Sequence, residues 1–454
     1  MRSRKTNICS KVHKIPEIRF EDQKLSSYSG LIIFQKLFLS IELKMTLKKC
    51  FSHLQVNSFY GLHNVTLLLI CHLLIGFKRL RSRDLYFDDP VVKRVVGLRS
   101  IPDVATISRS LSLVDDLAIS KMRESNQDLV LKRVEEESLK TVTLDFDGFV
   151  VSTQGKVEDS AAGYNKRKKG ARSYYPLGCT IAQTGQVLDL LHRPGNVHDS
   201  NGAEDFIVNN VRQLKSRVLR ARVESRIDSA FFSDDLMFTL DDEKVEFSVS
   251  APFARFTELK GLIENRKRWR PIDSTWSYFE LDWAPKSWPS SFRLVIYRKK
   301  QAKQEKGPLQ LDFFKPIEHE FQYKAVMTNK SCCSKKLLHF HNGRGSQEGI
   351  YAEIKTFASL DYLPFKRKCS NIVYSLCGVM AHNINREIQM RVMPRGRGCT
   401  EKRSPLWKFE SLGKIRNEIL HRAGRLTRPK GQLTLTLNRN RNTKDLYEKF
   451  LNAA

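Results

Sequence analysis

The hydrophobic period of the chain changes at residue 141, and this change limits the possible folds more than any other feature. Before it, apolar residues recur at helical spacing. "LIIFQKLFLSIEL", "NVTLLLICHLLIGF" and "AISKMRESNQDLVLKRVEEESL" are apolar or amphipathic runs between about residues 25 and 138. At 141 the stretch "TVTLDFDGFVV" alternates residue by residue, which predicts a strand. A second strand near "YYPLGCTIAQ" turns at Thr184–Gly185 into "QVLDLLHR". The helix "GAEDFIVNNVRQLKSR" follows, with Ser200 or Asn201 as its expected cap. Then come the strand "ARVESRID", a short helix from Ser233, and the strand "VEFSVSA". Three strands, helix, strand, helix, strand is the order of an α/β protein: a mixed sheet with helices packed on it.

At 454 residues the chain can hold two or three domains with real cores. The pattern divides it into a basic tail over 1–24, an all-α N-terminal domain over 25–138 and the first part of the sheet core over 139–254. Residues 255–335 turn β-rich, with Trp269, Trp276, Trp283 and Trp288 and the alternating runs "STWSYFELDW", "FRLVIYRKK" and "FQYKAVMTN". They read as an inserted β subdomain. The core resumes over 336–392 with a helix from near Gly345 and the apolar helix "CSNIVYSLCGVMAHNINREI". A basic region over 393–454 ends the chain. Within the N-terminal domain, Pro102–Asp103 marks a turn and Thr106 a cap for a short helix carrying Ser108 and Arg109. That arrangement suits either a plain helical hairpin or a helix-turn-helix reader of DNA.

Charge narrows the partner. Lys and Arg number 78 against 49 Asp and Glu, a net +29, which is more than solubility needs and suits a polyanion. The excess is clustered: "KRKKGAR" at 166–172 contains Lys168 and Lys169, and "RKRWR" at 266–270 contains Arg268. Residues 391–454 hold 16 Lys/Arg and 5 Asp/Glu, a local +11. Several such runs in separate elements predict a long phosphate-contacting track. Nine cysteines occur without a CxxC pair, which argues against a structural zinc site and fits reduced thiols in a cytoplasm. The longest apolar run, residues 66–77, is too short to cross a bilayer, and no signal-peptide pattern opens the sequence. No membrane partner is expected.

The carboxylates carry the chemistry. Asp145 and Asp147 stand two apart on the strand at 141, on one face and about 6.6 Å apart, while Val142, Leu144 and Phe146 take the other face. An acidic face on an apolar strand is costly unless satisfied, and a divalent cation would satisfy it. Asp228 ends another predicted strand. In "HNGRGSQEGIYAEIK", Arg344, Glu348 and Lys355 fall at offsets of four and seven, on one face of a helix. Alone, that is an ordinary ion-paired helix face. Brought together with the strand aspartates, Glu348 could complete a site for two Mg²⁺ ions, which favour carboxylates plus substrate phosphate oxygens.

With these residues in order, the chain resembles a DDE-type transposase of a bacterial insertion sequence, over roughly 25–450. "LDFDG" is similar to the family's first-aspartate strand, with Asp147 the better match and Asp145 its alternative. "RIDSAFFSDDL" is similar to the second, giving Asp228. "HNGRGSQEGIYAEIK" is similar to the signature Tyr-x2-Arg-x3-Glu-x6-Lys, giving Arg344, Glu348 and Lys355, with His341 where the family has tyrosine. "RPGNVHDSNGAEDF" also resembles a family segment. The resemblance implies a ribonuclease-H-like core interrupted by a β-rich insertion. It implies catalysis by Asp147, Asp228 and Glu348 on two Mg²⁺ ions, replaceable by Mn²⁺, with cleavage at element ends and joining to target DNA. Arg344, Lys355 and His341 would contact double-stranded DNA, together with Arg109, Lys168, Lys169 and Arg268 of the basic runs, in a homodimer or larger synaptic complex. Two rivals share these features: a descendant that binds DNA without catalysis, and a nuclease of the same fold.

Overall fold

The computed structural model describes residues 17–19, 21, 23–54, 59–153, 155–163, 168–197, 202–252, 255–300 and 321–454. The short strand β1 (Leu25–Ser26) leads into six helices: α1 (Leu31–Ser40), α2 (Leu43–Cys50), α3 (Leu62–Leu74), α4 (Pro90–Val96), α5 (Val104–Leu111) and α6 (Asp116–Glu136). Strands then dominate: β2 (Thr141–Gly148), β3 (Val151–Ser152), β4 (Ala161–Ala162), β5 (Arg172–Tyr174), β6 (Leu177–Ile181) and β7 (Gln186–Leu191). They are followed by α7 (Ala203–Arg217), β8 (Arg222–Ile227), α8 (Asp234–Asp242), β9 (Glu246–Ser250) and α9 (Thr257–Glu264). Four more strands come next, β10 (Arg270–Pro271), β11 (Trp276–Trp283), β12 (Phe292–Lys300) and β13 (Phe321–Thr328). The chain closes with α10 (Ser334–Asn342), α11 (Ser346–Phe357), α12 (Lys368–Val392), α13 (Leu412–Ile415), β14 (Gly424–Thr427), β15 (Thr434–Leu437) and α14 (Arg441–Ala453). No helix among the described residues is long and apolar enough to cross a membrane.

Local chemistry explains the element ends. Asp103 caps α5 by accepting from the Thr106 amide at 2.6 Å, so the cap is Asp103 and not Thr106. Its backbone is extended, as an N-cap requires. Ser233 caps α8 as expected. The expected caps Ser200 and Asn201 lie outside the described residues; α7 starts after Gly202, whose φ of +69° suits glycine.

Nine strands form one mixed sheet in the order β10-β11-β12-β13-β9-β8-β2-β6-β7. β7, β6 and β2 run antiparallel, whereas β2, β8 and β9 run parallel. Among the described residues, β10 to β13 continue the central sheet. β13 pairs antiparallel with β9 through Val326–Ser250, Met327–Val249 and Thr328–Ser248, extending the central sheet.

One face of the sheet packs Val142, Leu144 and Phe146 of β2 against α6, α7 and α8. The opposite face is covered by α10, the turn after it and α11. Because β2 is central, its residues Val142 to Phe146 are buried on both faces. A second core joins α1 to α6 with α12, α13 and α14. In α12 every residue from Ser370 to Met390 is buried, so it serves as an axle for the helical half. β1 pairs antiparallel with β14, tying the first described strand to the last segment of the chain.

Candidate active site

Two strands bring carboxylates together, and a helix carries a third whose charge acts on them. Asp147 stands near the end of β2. Asp228 follows the last residue of β8 and accepts from the Ser229 amide at 2.7 Å, which fixes its side chain at the strand end. As β2 and β8 are neighbouring parallel strands, both aspartates emerge at the same carboxyl edge. Glu348 lies exposed in the first turn of α11. Arg344, in the single 3₁₀ turn between α10 and α11, spans the two aspartates: Nη1 lies 3.7 Å from Asp147 Oδ1 and Nη2 3.6 Å from Asp228 Oδ2.

Burial dominates the electrostatics of the site. Burial, with the charges of Asp228 and Glu348, pushes the Asp147 carboxyl up to about 6, against the pull of Arg344 and the Gly148 amide. Nearby Lys324 is half-buried, and desolvation with the Arg344 charge lowers its pKa. Its Nζ donates to Asn342 Oδ1 at 2.7 Å. Lys355 lies 4.7 Å above the Phe149 ring, just past Asp147 and Gly148, a cation–π seat that aims the ammonium along the same edge.

No three His, Cys, Asp or Glu side chains among the described residues are close enough to hold a metal ion as they stand. The donor chemistry nonetheless fits a hard divalent cation. Asp147, Asp228 and Glu348 offer only carboxylate oxygens, the donor type that such cations take.

Two expected contacts are corrected. Asp145 is not an available metal ligand: it is fully buried, and Arg226 occupies both its oxygens, Nε to Oδ1 at 2.5 Å and Nη2 to Oδ2 at 2.6 Å. The acidic strand face is thus satisfied by an arginine at the Asp145 level. His341 is not on the surface. It is buried, its Nδ1 and Nε2 are hydrogen-bonded to Ser248 Oγ at 3.0 Å and Ser250 Oγ at 2.8 Å, and burial drives its pKa well below the usual histidine range. A neutral ring there docks α10 on β9.

The remaining expected DNA contacts lie apart from this cluster, on surface elements. Arg109 is exposed on α5, Arg268 is exposed before β10, and Lys168 and Lys169 are exposed before β5. Residues 164–167, which include the start of the first basic run, lie outside the described residues.

Sequence reasoning missed the supports. Gln347 is buried and donates to the Asp145 carbonyl at 2.7 Å, linking α11 to β2. Tyr351 packs on Phe149 with ring centroids 4.7 Å apart. Its hydroxyl fills the space that a Cβ on Gly178 would need, and Gly178 is the β6 partner of Asp147. Arg226 was findable: it precedes Asp228 by two residues as Asp145 precedes Asp147, and opposite charges at matched offsets on two strands predict a cross-strand pair.

The family model described as "Transposase DDE domain group 1" matches residues 10–453. No curated protein matches the sequence. Among solved structures, the chain is similar to a piggyBac transposase in a synaptic complex with hairpin DNA, at 13% identity, 86% of this chain, 79% of that one and a TM-score of 0.47. It is also similar to the transposase of a pre-cleavage Mos1 transpososome, at 12% identity, 36% of this chain, 56% of that one and a TM-score of 0.17.

Proposed function

The chain belongs to the transposase DDE domain group 1, and from that premise we propose that it cuts DNA at the ends of an insertion sequence and joins the freed ends to target DNA. The observation that carries this reading is the meeting of Asp147 and Asp228 at the carboxyl edge of adjacent parallel strands, bridged by Arg344, with the charge of Glu348 acting on Asp147. The strand order β7-β6-β2-β8-β9, three antiparallel and then two parallel, supports the ribonuclease-H-like reading of the core.

Asp147, Asp228 and Glu348 would hold the divalent ions that the family generally uses. Such ions, when bound, lower the pKa of an attacking water and stabilise charge on the attacking and leaving oxygens of the phosphodiester. Arg344 then serves a second purpose, because its planar fork matches a phosphate as well as it matches two carboxylates. Lys355, seated on Phe149, holds the next phosphate. The pair orients the scissile bond, and orientation is a large share of the barrier in phosphoryl transfer. The exposed Arg109, Lys168, Lys169 and Arg268 extend the contact along the duplex. Residues 25–138 are assigned to recognition of the ends, and a dimer or larger assembly to the pairing of two ends, in the cytoplasm.

The test uses the full chain with DNA carrying the inverted repeats that flank its gene. Cleavage is expected in Mg²⁺ or Mn²⁺ and not in EDTA. Asp147→Asn, Asp228→Asn and Glu348→Gln are each expected to remove cleavage with DNA binding intact, and Lys355→Ala to cost less than any of them. Supplying a pre-cut end separates a transposase, which joins it to target, from a nuclease, which does not. Full cleavage in EDTA would refute the reading.

A further inference from the structure

Beneath the carboxylates lies a single buried guanidinium that touches β2, α10 and the C-terminal segment from its own place on β8. Arg226 is fully buried. It stands two residues before Asp228, directly across from Asp145, which stands on β2 two residues before Asp147. Its Nε and Nη2 take both oxygens of Asp145, at 2.5 and 2.6 Å. Its Nη1 donates to the carbonyls of Phe340 in α10, at 3.0 Å, and of Lys402 in the C-terminal segment, at 2.7 Å. Gly343, which opens the turn bearing Arg344, lies so close that a Cβ there would collide with both Arg226 Nη1 and the Lys402 oxygen. Only a glycine lets the turn rest on the guanidinium.

We propose that Arg226 is a positioning residue for the reaction: by clamping β2, β8, the Arg344 turn and the C-terminal segment one pleat below the site, it sets the spacing at which Asp147, Asp228 and Glu348 share a cation. The inference rests on the catalytic reading above. Stability alone does not account for the pair. A buried ion pair is costly to desolvate, and well-packed apolar residues of similar volume commonly fold as well or better. What apolar residues cannot reproduce is direction. The flat fork fixes the Asp145 carboxylate in one plane and, with it, the strand register immediately before Asp147. Lysine in the same place would offer one point charge and could not hold both Asp145 and the two carbonyls in that geometry. Above it, Arg344 repeats the motif, spanning Asp147 and Asp228 at longer range. The lower arginine is locked and the upper one is poised to exchange partners.

The experiment measures Mn²⁺ binding to the full chain by electron paramagnetic resonance, beside urea unfolding and cleavage, for Asp145→Leu/Arg226→Met and Arg226→Lys. The double variant removes both charges but leaves the Phe340 and Lys402 carbonyls without this donor, so it is expected to unfold at lower urea than wild type while still folding, and to bind Mn²⁺ about 10- to 100-fold more weakly, as for loss of residues that orient metal ligands. Cleavage should then need correspondingly more Mn²⁺. Arg226→Lys keeps the charge and is expected to show the same weakening. Wild-type Mn²⁺ affinity in a folded double variant overturns the proposal. If the double variant fails to fold, wild-type affinity in Arg226→Lys overturns it instead. Wild-type protein and Glu348→Gln are the controls. If wild type binds no Mn²⁺, or Glu348→Gln still cleaves, the catalytic reading itself falls; if both controls behave and only the Arg226 variants are unchanged, this inference alone falls.

Discussion

At the scale of single residues, the structure buries charges that alternation along a strand would leave exposed. Glu224 of β8 is fully buried, yet it accepts from Arg403 Nε at 2.8 Å and Nη2 at 3.0 Å, from Lys330 Nζ at 2.8 Å and from Thr143 Oγ1 at 2.9 Å. Burial alone would push its carboxyl up; the Arg403 and Lys330 partners outweigh it and hold the carboxyl at about 2. A folded pKa below the unfolded one gives stability that is present above the unfolded value and is lost as pH falls through about 2. From the usual 4.5 down to about 2, the contribution is about 3 kcal/mol. Glu224→Gln is therefore expected to be less stable than wild type by roughly that amount at pH 7. The gap should close as pH drops from about 5 towards 2, in urea titrations at several pH values. A gap that does not change with pH would mean that the ion pairs do not form. The same residue shows the limit of reading charge from sequence. Glu224 and Asp145 sit in alternating strands and look like solvent-facing acids, because nothing local reveals that β2 and β8 are central or that Arg403 returns from far along the chain.

At the scale of elements, the C-terminal region behaves as core. Trp407 is buried and donates from Nε1 to the Met393 carbonyl at 3.0 Å. Arg416 donates to the Leu74 and Leu73 carbonyls at 2.7 and 2.5 Å, satisfying the open end of α3. Ile415, Ile419, Leu420 and Phe450 are buried in the same cluster as α1, α3 and α12. A chain ending at 392 is thus expected to lose cooperative urea unfolding and near-ultraviolet circular dichroism, and the basic excess of 391–454 cannot be assessed by truncation. A truncated chain that unfolds as one sharp transition would show instead that this region is an appendage. Much of the element order was legible. The strands β2, β6, β7, β8 and β9, the helix α7 and the Ser233 cap follow from local period and capping chemistry, whereas the small β3-β5-β4 sheet was not expected. The pairings were not legible, because β13 meets β9 and β1 meets β14 through hydrogen bonds between distant segments that no period encodes. The spacing of Arg344, Glu348 and Lys355 suggested one helix face, but the structure puts Arg344 in the turn before α11 and only Glu348 and Lys355 on the helix. The sequence favoured Asp147 over Asp145 only through the resemblance of "LDFDG"; in the structure the cross-strand Arg226, which occupies both Asp145 oxygens, separates the two.

At the scale of the molecule, a net +29 should appear as a steep salt dependence of DNA binding. Each phosphate contact contributes about −0.9 to the slope of log K against log salt. Exchanging exposed Lys168, Lys169 and Arg268 together for glutamine is expected to make the slope shallower by up to roughly 3, measured by fluorescence anisotropy across a salt series. Arg109→Ala should change the slope little and reduce discrimination between element ends and random DNA. An unchanged slope in the triple variant would move the phosphate track to other surfaces. The tie between β1 and β14 has a further consequence, in time. The helices α1 to α6 are made first, but their apolar faces are covered by α12, α13 and α14. At a synthesis rate of about 5–20 residues per second, the roughly 400 residues between β1 and β14 take on the order of 20–80 s to appear. Through that interval the helices can pack on one another, but the part of their apolar surface that α12, α13 and α14 cover stays open. A polypeptide released before residue 427 leaves β1 without its β14 partner.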